Sequence, residues 1–155
     1  MQLDRDFKEF VSLLNARSVR FLVVGGYAVA AHGLPRYTGD FDAWIWLSEE
    51  NAQRVLGVLD EFGFGGLDIT EVDFTRGDSV VQLGCPPHRI DLLTSISGVT
   101  FENACSRRLN VQVEAEVVSF IGREDLIINK RAVGRPQDDA DVARLLDGSD
   151  DKLPY

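Results

Sequence analysis

The run Asp40-Phe41-Asp42-Ala43-Trp44-Ile45-Trp46-Leu47 separates its residues into two classes with a period of two, which is the period of a β-strand, where successive side chains point to opposite faces. Phe41, Ala43, Ile45 and Leu47 then look toward a core. Asp40, Asp42, Trp44 and Trp46 share the other face. Two carboxylates at i and i+2 sit ~6–7 Å apart along one face of a strand, so Asp40 and Asp42 can grip the same cation. A hard cation such as Mg²⁺ takes oxygen ligands and usually binds one or two carboxylates together with substrate phosphates. A third acid, Asp91, lies alone in the apolar run Arg89-Ile90-Asp91-Leu92-Leu93. From a neighbouring strand it could complete a two-metal arrangement. The combination is that of a metal-assisted phosphoryl-transfer site, and the chain reads as an enzyme that handles a nucleotide.

Upstream, the β-branched and aromatic run 20–24 stops at Gly25-Gly26, and 27–32 reads as a short helix ending at Gly33. A strand followed by two glycines and a helix start lets the backbone approach a phosphate closely, with free N–H groups and the positive helix end aimed at it. The same pair also serves a plain turn; the two aspartates downstream favour the phosphate reading. Three acids brought together by strands repel one another unless a cation or a proton neutralises them.

The 155 residues, with 45% hydrophobic and 26% charged content, suit one ordinary domain. That domain is expected to span 1–146, with an acidic, frayed tail over 147–155. The start of the chain is charged and no apolar stretch approaches the ~20 residues of a membrane span, so a cytoplasmic protein without membrane association is expected. A net charge of -9 argues against a broad grip on nucleic acid, which rests on Lys and Arg neutralising phosphates. A small RNA substrate stays open. Arg107, Arg108, Arg123, Lys130, Arg131 and Arg135 gather locally, as a phosphate patch or as a solvated helix face. Cys85 and Cys105 have neither Cys-x-x-Cys spacing nor His companions and read as buried or partly buried thiols.

Helical spacing of Phe7, Phe10, Val11, Leu13 and Leu14 predicts an amphipathic helix over 3–16. Ser48 caps a second amphipathic helix, with Glu49, Glu50 and Asn51 in its first turn and Val55, Leu56, Val58, Leu59 and Phe62 on its apolar side, a βαβ-like beginning. A glycine-rich connector and a polar loop lead to a hairpin, 79–83 and 88–94, turning at Gly84-Cys85-Pro86-Pro87. A short helix at 101–106, strand material within 111–120 and helices at 123–133 and 136–146 complete the plan. The fold class is α+β (α/β), a mixed sheet packed by helices.

Several other residues have two readings. Lys130 follows Ile127 and Leu126 by three and four positions, so it leans toward the sheet and a triphosphate, or else snorkels at the surface. Arg36 and Thr38 suit loop-ordering hydrogen bonds better than substrate contact. His32 and His88 are acid–base groups only as a secondary reading, structural ones first. Trp44 and Trp46 fit packing under a helix better than stacking on a base. Arg135, Asp138, Asp141 and Arg144 suit caps and pairs within the last two helices.

Leu22-Val23-Val24-Gly25-Gly26, Arg36-Tyr37-Thr38-Gly39-Asp40-Phe41-Asp42 and Arg89-Ile90-Asp91-Leu92-Leu93 together resemble the polymerase-β-like nucleotidyltransferase superfamily. The nearest branch is the minimal bacterial one that includes abortive-infection toxin-type enzymes. Asp125-Leu126-Ile127, Lys130, Arg135-Pro136, Asp138 and Asp141 resemble that branch's C-terminal signature, so the likeness covers about 20–146. It implies a nucleotidyltransferase fold in which Gly25 and Gly26 hold the nucleoside triphosphate, ATP among the candidates. It implies that Asp40 and Asp42 bind two Mg²⁺, with Mn²⁺ as an alternative, and that Asp91 shares the second metal and helps deprotonate the attacking hydroxyl. Many relatives carry Ser after the first glycine; here Gly26 leaves only the backbone amide.

The implied activity is transfer of an NMP group from an NTP to a hydroxyl with release of pyrophosphate, enzyme class 2.7.7. A sizeable extra domain of the kind that clamps nucleic acid is not evident. This points to an acceptor among small molecules, protein side chains and the ends of tRNA or other RNA. The branch also implies a toxin–antitoxin setting with an antitoxin as partner. The alternative is a catalytically silent nucleotide- or partner-binding module of the same fold. A phosphoesterase would need further His and Asp groups that this sequence lacks.

Overall fold

Two apolar stripes of opposite sequence position meet on one sheet in the computed structural model, which describes residues 3–34, 38–85 and 88–147. The first is on α1 (Arg5–Ala16), whose Phe7, Phe10, Val11 and Leu14 are buried and whose N-terminus is capped by the Asp4 carboxylate accepting from the Asp6 N–H. The second is on α3 (Glu49–Phe62), capped by Ser48, whose hydroxyl accepts from the Asn51 N–H, and closed by Gly63 at φ 103°, a left-handed position that glycine takes without strain. The two helices pack together.

Between them in sequence lie β1 (Phe21–Val24), α2 (Gly25–Ala31) and β2 (Asp40–Ile45). Then come β3 (Val80–Leu83) and β4 (Arg89–Leu93), α4 (Phe101–Ser106), β5 (Leu109–Val113) and β6 (Glu116–Phe120), and finally α5 (Arg123–Val133) and α6 (Pro136–Asp147). Among the described residues these strands form one mixed sheet in the order β3-β4-β2-β1-β6-β5. β1–β2, β3–β4 and β5–β6 pair antiparallel, whereas β2–β4 and β1–β6 pair parallel. The opening is therefore not a parallel βαβ unit: α2 is short enough that β2 returns directly alongside β1, antiparallel. The parallel crossover runs instead from β2 through α3 and the β3 hairpin strand to β4.

Alternation along β2 separates the faces as its sequence requires. Phe41 stacks on Phe7 of α1 and meets Tyr27 of α2 edge-on, while Trp44 and Trp46 pack against Phe101 of α4 on the opposite face. Both tryptophans thus lie under a helix, and Arg20 stacks on Trp46 with its guanidinium carbon 4.9 Å from the ring centre.

Two local features add to the sequence expectation. Asn51, in the first turn of α3 as expected, is buried, accepting from the Arg20 N–H and donating to the Arg20 and Trp46 carbonyls. Its amide satisfies strand-end backbone groups that α3 cuts off from water. The expected polar loop after α3 contains a 3₁₀ turn, Glu71–Phe74, that buries Phe74. Of the two free cysteines, Cys105 is half-buried and Cys85 exposed. No helix among the described residues is long and apolar enough to cross a membrane. Arg36, Tyr37, Pro86, Pro87 and the tail 148–155 lie outside the described residues.

Candidate active site

Residue pairing across the parallel β2–β4 ladder sets the chemistry of one face. Asp40 stands opposite Arg89, and Asp42 stands opposite Asp91. Because i and i+2 share a face in each strand, these four side chains form a square of three acids and one base. Arg89 donates from Nε to Asp91 Oδ1 at 2.9 Å and from Nη2 to Asp91 Oδ2 at 3.1 Å, a bidentate fork. The same Nη2 donates to Asp40 Oδ2 at 3.1 Å. Asp40 and Asp91 are thus linked through one nitrogen, and Asp42 faces Asp91 across the ladder.

The square forms part of the wall of a cleft of about 520 Å³, which Val24, Gly25, Ser95, Ser97, Asn129 and Arg135 also line. Three acids and one guanidinium leave the square short of positive charge. Asp42 registers the imbalance: its pKa is pushed up to about 7, first by burial, then by the charge of Asp91, the hydrogen bond to Asp91 and the charge of Asp40, with Arg89 opposing. The donor set, three hard carboxylates with a proton standing in for missing positive charge, fits a divalent cation of the Mg²⁺ or Mn²⁺ kind. No three of the described His, Cys, Asp and Glu side chains already stand as a metal cage; Arg89 holds oxygens of two of the three acids.

Gly25 opens the cleft floor. Its φ of 68° lies in the left-handed region, and a Cβ built there would fall 2.2 Å from Asp42 Oδ2 and 3.1 Å from its carboxyl carbon. Glycine at this position lets the β1–α2 turn lie directly against the Asp42 carboxylate. Gly26 is buried in the first turn of α2.

The structure separates the remaining candidates. Lys130, expected at the triphosphate, is 5% exposed, with its ammonium 2.9 Å from Asp141 and 3.4 Å from Asp138. The face shared with Leu126 and Ile127 does turn inward, but what it meets is α6, which presents two carboxylates one helical turn apart. The α5 residues that line the cleft are its neighbours in sequence, Asn129 and Val133. Arg135 pairs with Asp138, which also accepts from the Arg135 N–H and so caps α6. The pair holds the Asp138 carboxyl below the usual carboxylate range.

Arg135 also lines the cleft, within electrostatic reach of Asp42. From the sequence, caps and pairs are favoured for it over a place in a phosphate patch. Three more of the basic cluster are engaged elsewhere: Arg107 forks the buried Asp125, Arg108 donates to the Cys105 carbonyl and Arg123 to the Leu145 carbonyl. Thr38 donates to the Asp40 carbonyl, the loop-ordering bond expected of it. His32 contacts the Ile121 carbonyl through Nε2 at 2.8 Å, and His88 lies 3.6 Å from Asp4. Neither ring is in the cleft. Arg89 was missed as a site residue; its signal was the i, i+2 spacing to Asp91 that had already marked Asp40 and Asp42.

Solved structures of similar shape decide the fold. A Thermotoga maritima protein assigned to the nucleotidyltransferases superposes with a TM-score of 0.61 at 15% identity, over 92% of this chain and 91% of that one. The chain has a nucleotidyltransferase fold. The lincosamide antibiotic adenylyltransferase LnuA, in its lincomycin-bound structure, matches with a TM-score of 0.57 at 13% identity, over 93% and 96% of the two chains. A nucleotidyltransferase-like antigen of Paracoccidioides brasiliensis matches with 0.53 at 14% identity, over 97% and 77%. Neither a family sequence profile nor a curated protein sequence matches. At such identities the nucleotidyltransferase fold is what is shared, and activity has to be argued from the site.

Proposed function

We propose that this chain is a metal-dependent nucleotidyltransferase that moves an NMP group from an NTP to a hydroxyl acceptor and releases pyrophosphate. The observation that carries this reading is the register of β2 on β4, which sets Asp42 against Asp91 beside Asp40 in a cleft floored by Gly25. Asp40, Asp42 and Asp91 would hold the divalent ion, Mg²⁺ or Mn²⁺. When bound, such an ion neutralises triphosphate charge and acidifies an attacking hydroxyl.

The chain's own groups supply the rest. Gly25 and Gly26 let the backbone meet the phosphates closely. Arg135, lining the same cleft within electrostatic reach of Asp42, adds fixed positive charge where the leaving pyrophosphate develops negative charge. Asp91, paired with Asp42 across the β2–β4 ladder, would take the acceptor's proton. Lys130, locked between α5 and α6, has a supporting role: it fixes the elbow from which Arg135 projects.

The acceptor is a hydroxyl on a small molecule, a protein side chain or an RNA end such as tRNA. LnuA, an antibiotic adenylyltransferase of nearly the same extent, makes small molecules the first class to assay. Incubation with each α-labelled NTP and Mg²⁺, against panels of hydroxyl compounds, lysate proteins and total tRNA, should transfer label to one class. Pyrophosphate release should accompany transfer and should stop with EDTA. NTP binding without transfer or pyrophosphate release across the panel would favour a silent binding module of the same fold. An antitoxin partner would appear as a protein that co-purifies with the chain and suppresses transfer.

A further inference from the structure

One cation serves two acids in the square, and it does so with the same oxygens that a metal ion would need. Arg89 uses both carboxylate oxygens of Asp91 and one of Asp40. A guanidinium is planar and always charged, and its fork matches carboxylates and phosphates alike. Asp91 is only 8% exposed, so without Arg89 it would face Asp42 and Asp40 as a nearly buried charge with no counter-ion. Asp42 receives no hydrogen bond from the guanidinium and stays the acid on which the unmet charge falls.

We infer that Arg89 is the built-in counter-ion of the carboxylate square, holding Asp40 and Asp91 in the metal-free protein and releasing them when a divalent cation binds, so that its guanidinium becomes free to take a phosphate of the incoming nucleotide. This rests on the metal-dependent reading above and adds a competition to it. Metal affinity in the absence of nucleotide is weakened by the bonds Arg89 must give up. Metal and nucleotide then bind cooperatively, because the released guanidinium acquires a new anion only when phosphate is present.

The experiment measures Mn²⁺ alone, by calorimetry and by the electron paramagnetic resonance of free Mn²⁺, on wild type, Arg89→Gln, Arg89→Lys and Asp42→Asn, with no nucleotide. Arg89→Gln removes the competing charge, so Mn²⁺ affinity should rise about ten- to a hundredfold, the scale of one or two charge-assisted hydrogen bonds. Arg89→Lys keeps a charge but loses the fork, and should give a smaller rise; it carries the test if the glutamine variant does not fold. With ATP present, the gain of Arg89→Gln should shrink or reverse, because the phosphate contact is gone. Mn²⁺ affinity unchanged or lowered in both Arg89 variants, while Asp42→Asn abolishes binding, overturns this inference alone and leaves Arg89 as a fixed positioning residue for Asp91. Absence of Mn²⁺ binding in every form, or binding that survives Asp42→Asn, overturns this inference together with the metal-dependent reading.

Discussion

Asp42 and Asp91 face each other across two parallel strands, yet only Asp91 is held by Arg89. The two carboxyl groups are thereby made unequal before any ligand arrives. One is a paired carboxylate, and the other keeps a proton to about neutral pH.

This inequality predicts opposite stability effects for two isosteric substitutions. Asp42→Asn removes a buried charge that repels its neighbours and should stabilise the metal-free protein by about 1–4 kcal/mol at pH 8. Asp91→Asn strips Arg89 of its bidentate partner and should lower the melting temperature. Both should abolish transfer. Asp42→Asn should also weaken Mg-NTP binding, whereas Asp91→Asn should retain much of it, since a group acting on the nucleophile contributes mainly in the transition state. Thermal melts and calorimetry read both effects; a shift of the same sign in the two melts would refute the asymmetry.

The same shift predicts how stability depends on pH. Asp42 has a folded-state pKa of about 7, above its ordinary value of 3.8, so between these limits the folded protein binds more protons than the unfolded chain. Stability of the metal-free protein should fall as pH rises from about 4 to about 7 and level off above that. Asp42→Asn should flatten this segment, and saturating Mg²⁺ should do the same by stabilising the carboxylate. Urea midpoints at half-unit pH steps, compared between wild type and variant, isolate the contribution of this one group.

Gly25→Ala should damage the site and the fold together. A left-handed φ costs a non-glycine residue about 1 kcal/mol or more, and the new Cβ would drive the Asp42 carboxylate off its position. A loss on the order of 1–3 kcal/mol in chemical denaturation is expected, with metal-dependent nucleotide binding lost. Wild-type affinity in a folded Gly25→Ala protein would count against the close approach of this turn to the ligand.

Lys130→Met should separate fold from function. It leaves Asp138 and Asp141 buried without their shared ammonium, a loss of about 3–5 kcal/mol. At a temperature where the variant remains folded, its NTP affinity should stay within a few fold of wild type. A selective loss of NTP affinity without a change in melting temperature would return Lys130 to the triphosphate.

The elements and most of their limits were legible in the chain because they follow from short-range periodicity and capping. α4 and α5 fall at the expected 101–106 and 123–133, and Ser48 caps α3 as its side chain suggests. The alternation of 40–47 assigned both faces of β2, and the structure covers Trp44 and Trp46 on one of them as expected. Local patterns did not distinguish the antiparallel β1–β2 return from a βαβ start. The difference is one of direction in space, and a short helix such as α2 permits either.

What the sequence by itself determined, then, was which side chains share a face: Asp40 with Asp42, Arg89 with Asp91, and Lys130 with Leu126 and Ile127. Strand and helix periods fix those sets within a few residues of backbone. Only the tertiary structure decided what each set meets. The β2–β4 register puts Asp42, rather than Asp40, against Asp91 and gives Arg89 two acids to hold. The packing of α6 on α5 gives Lys130 a pair of buried carboxylates and leaves Arg135 facing the cleft. These partners are brought together by burial of the apolar faces around them, a force without direction, so local spacing records each face and not what it meets.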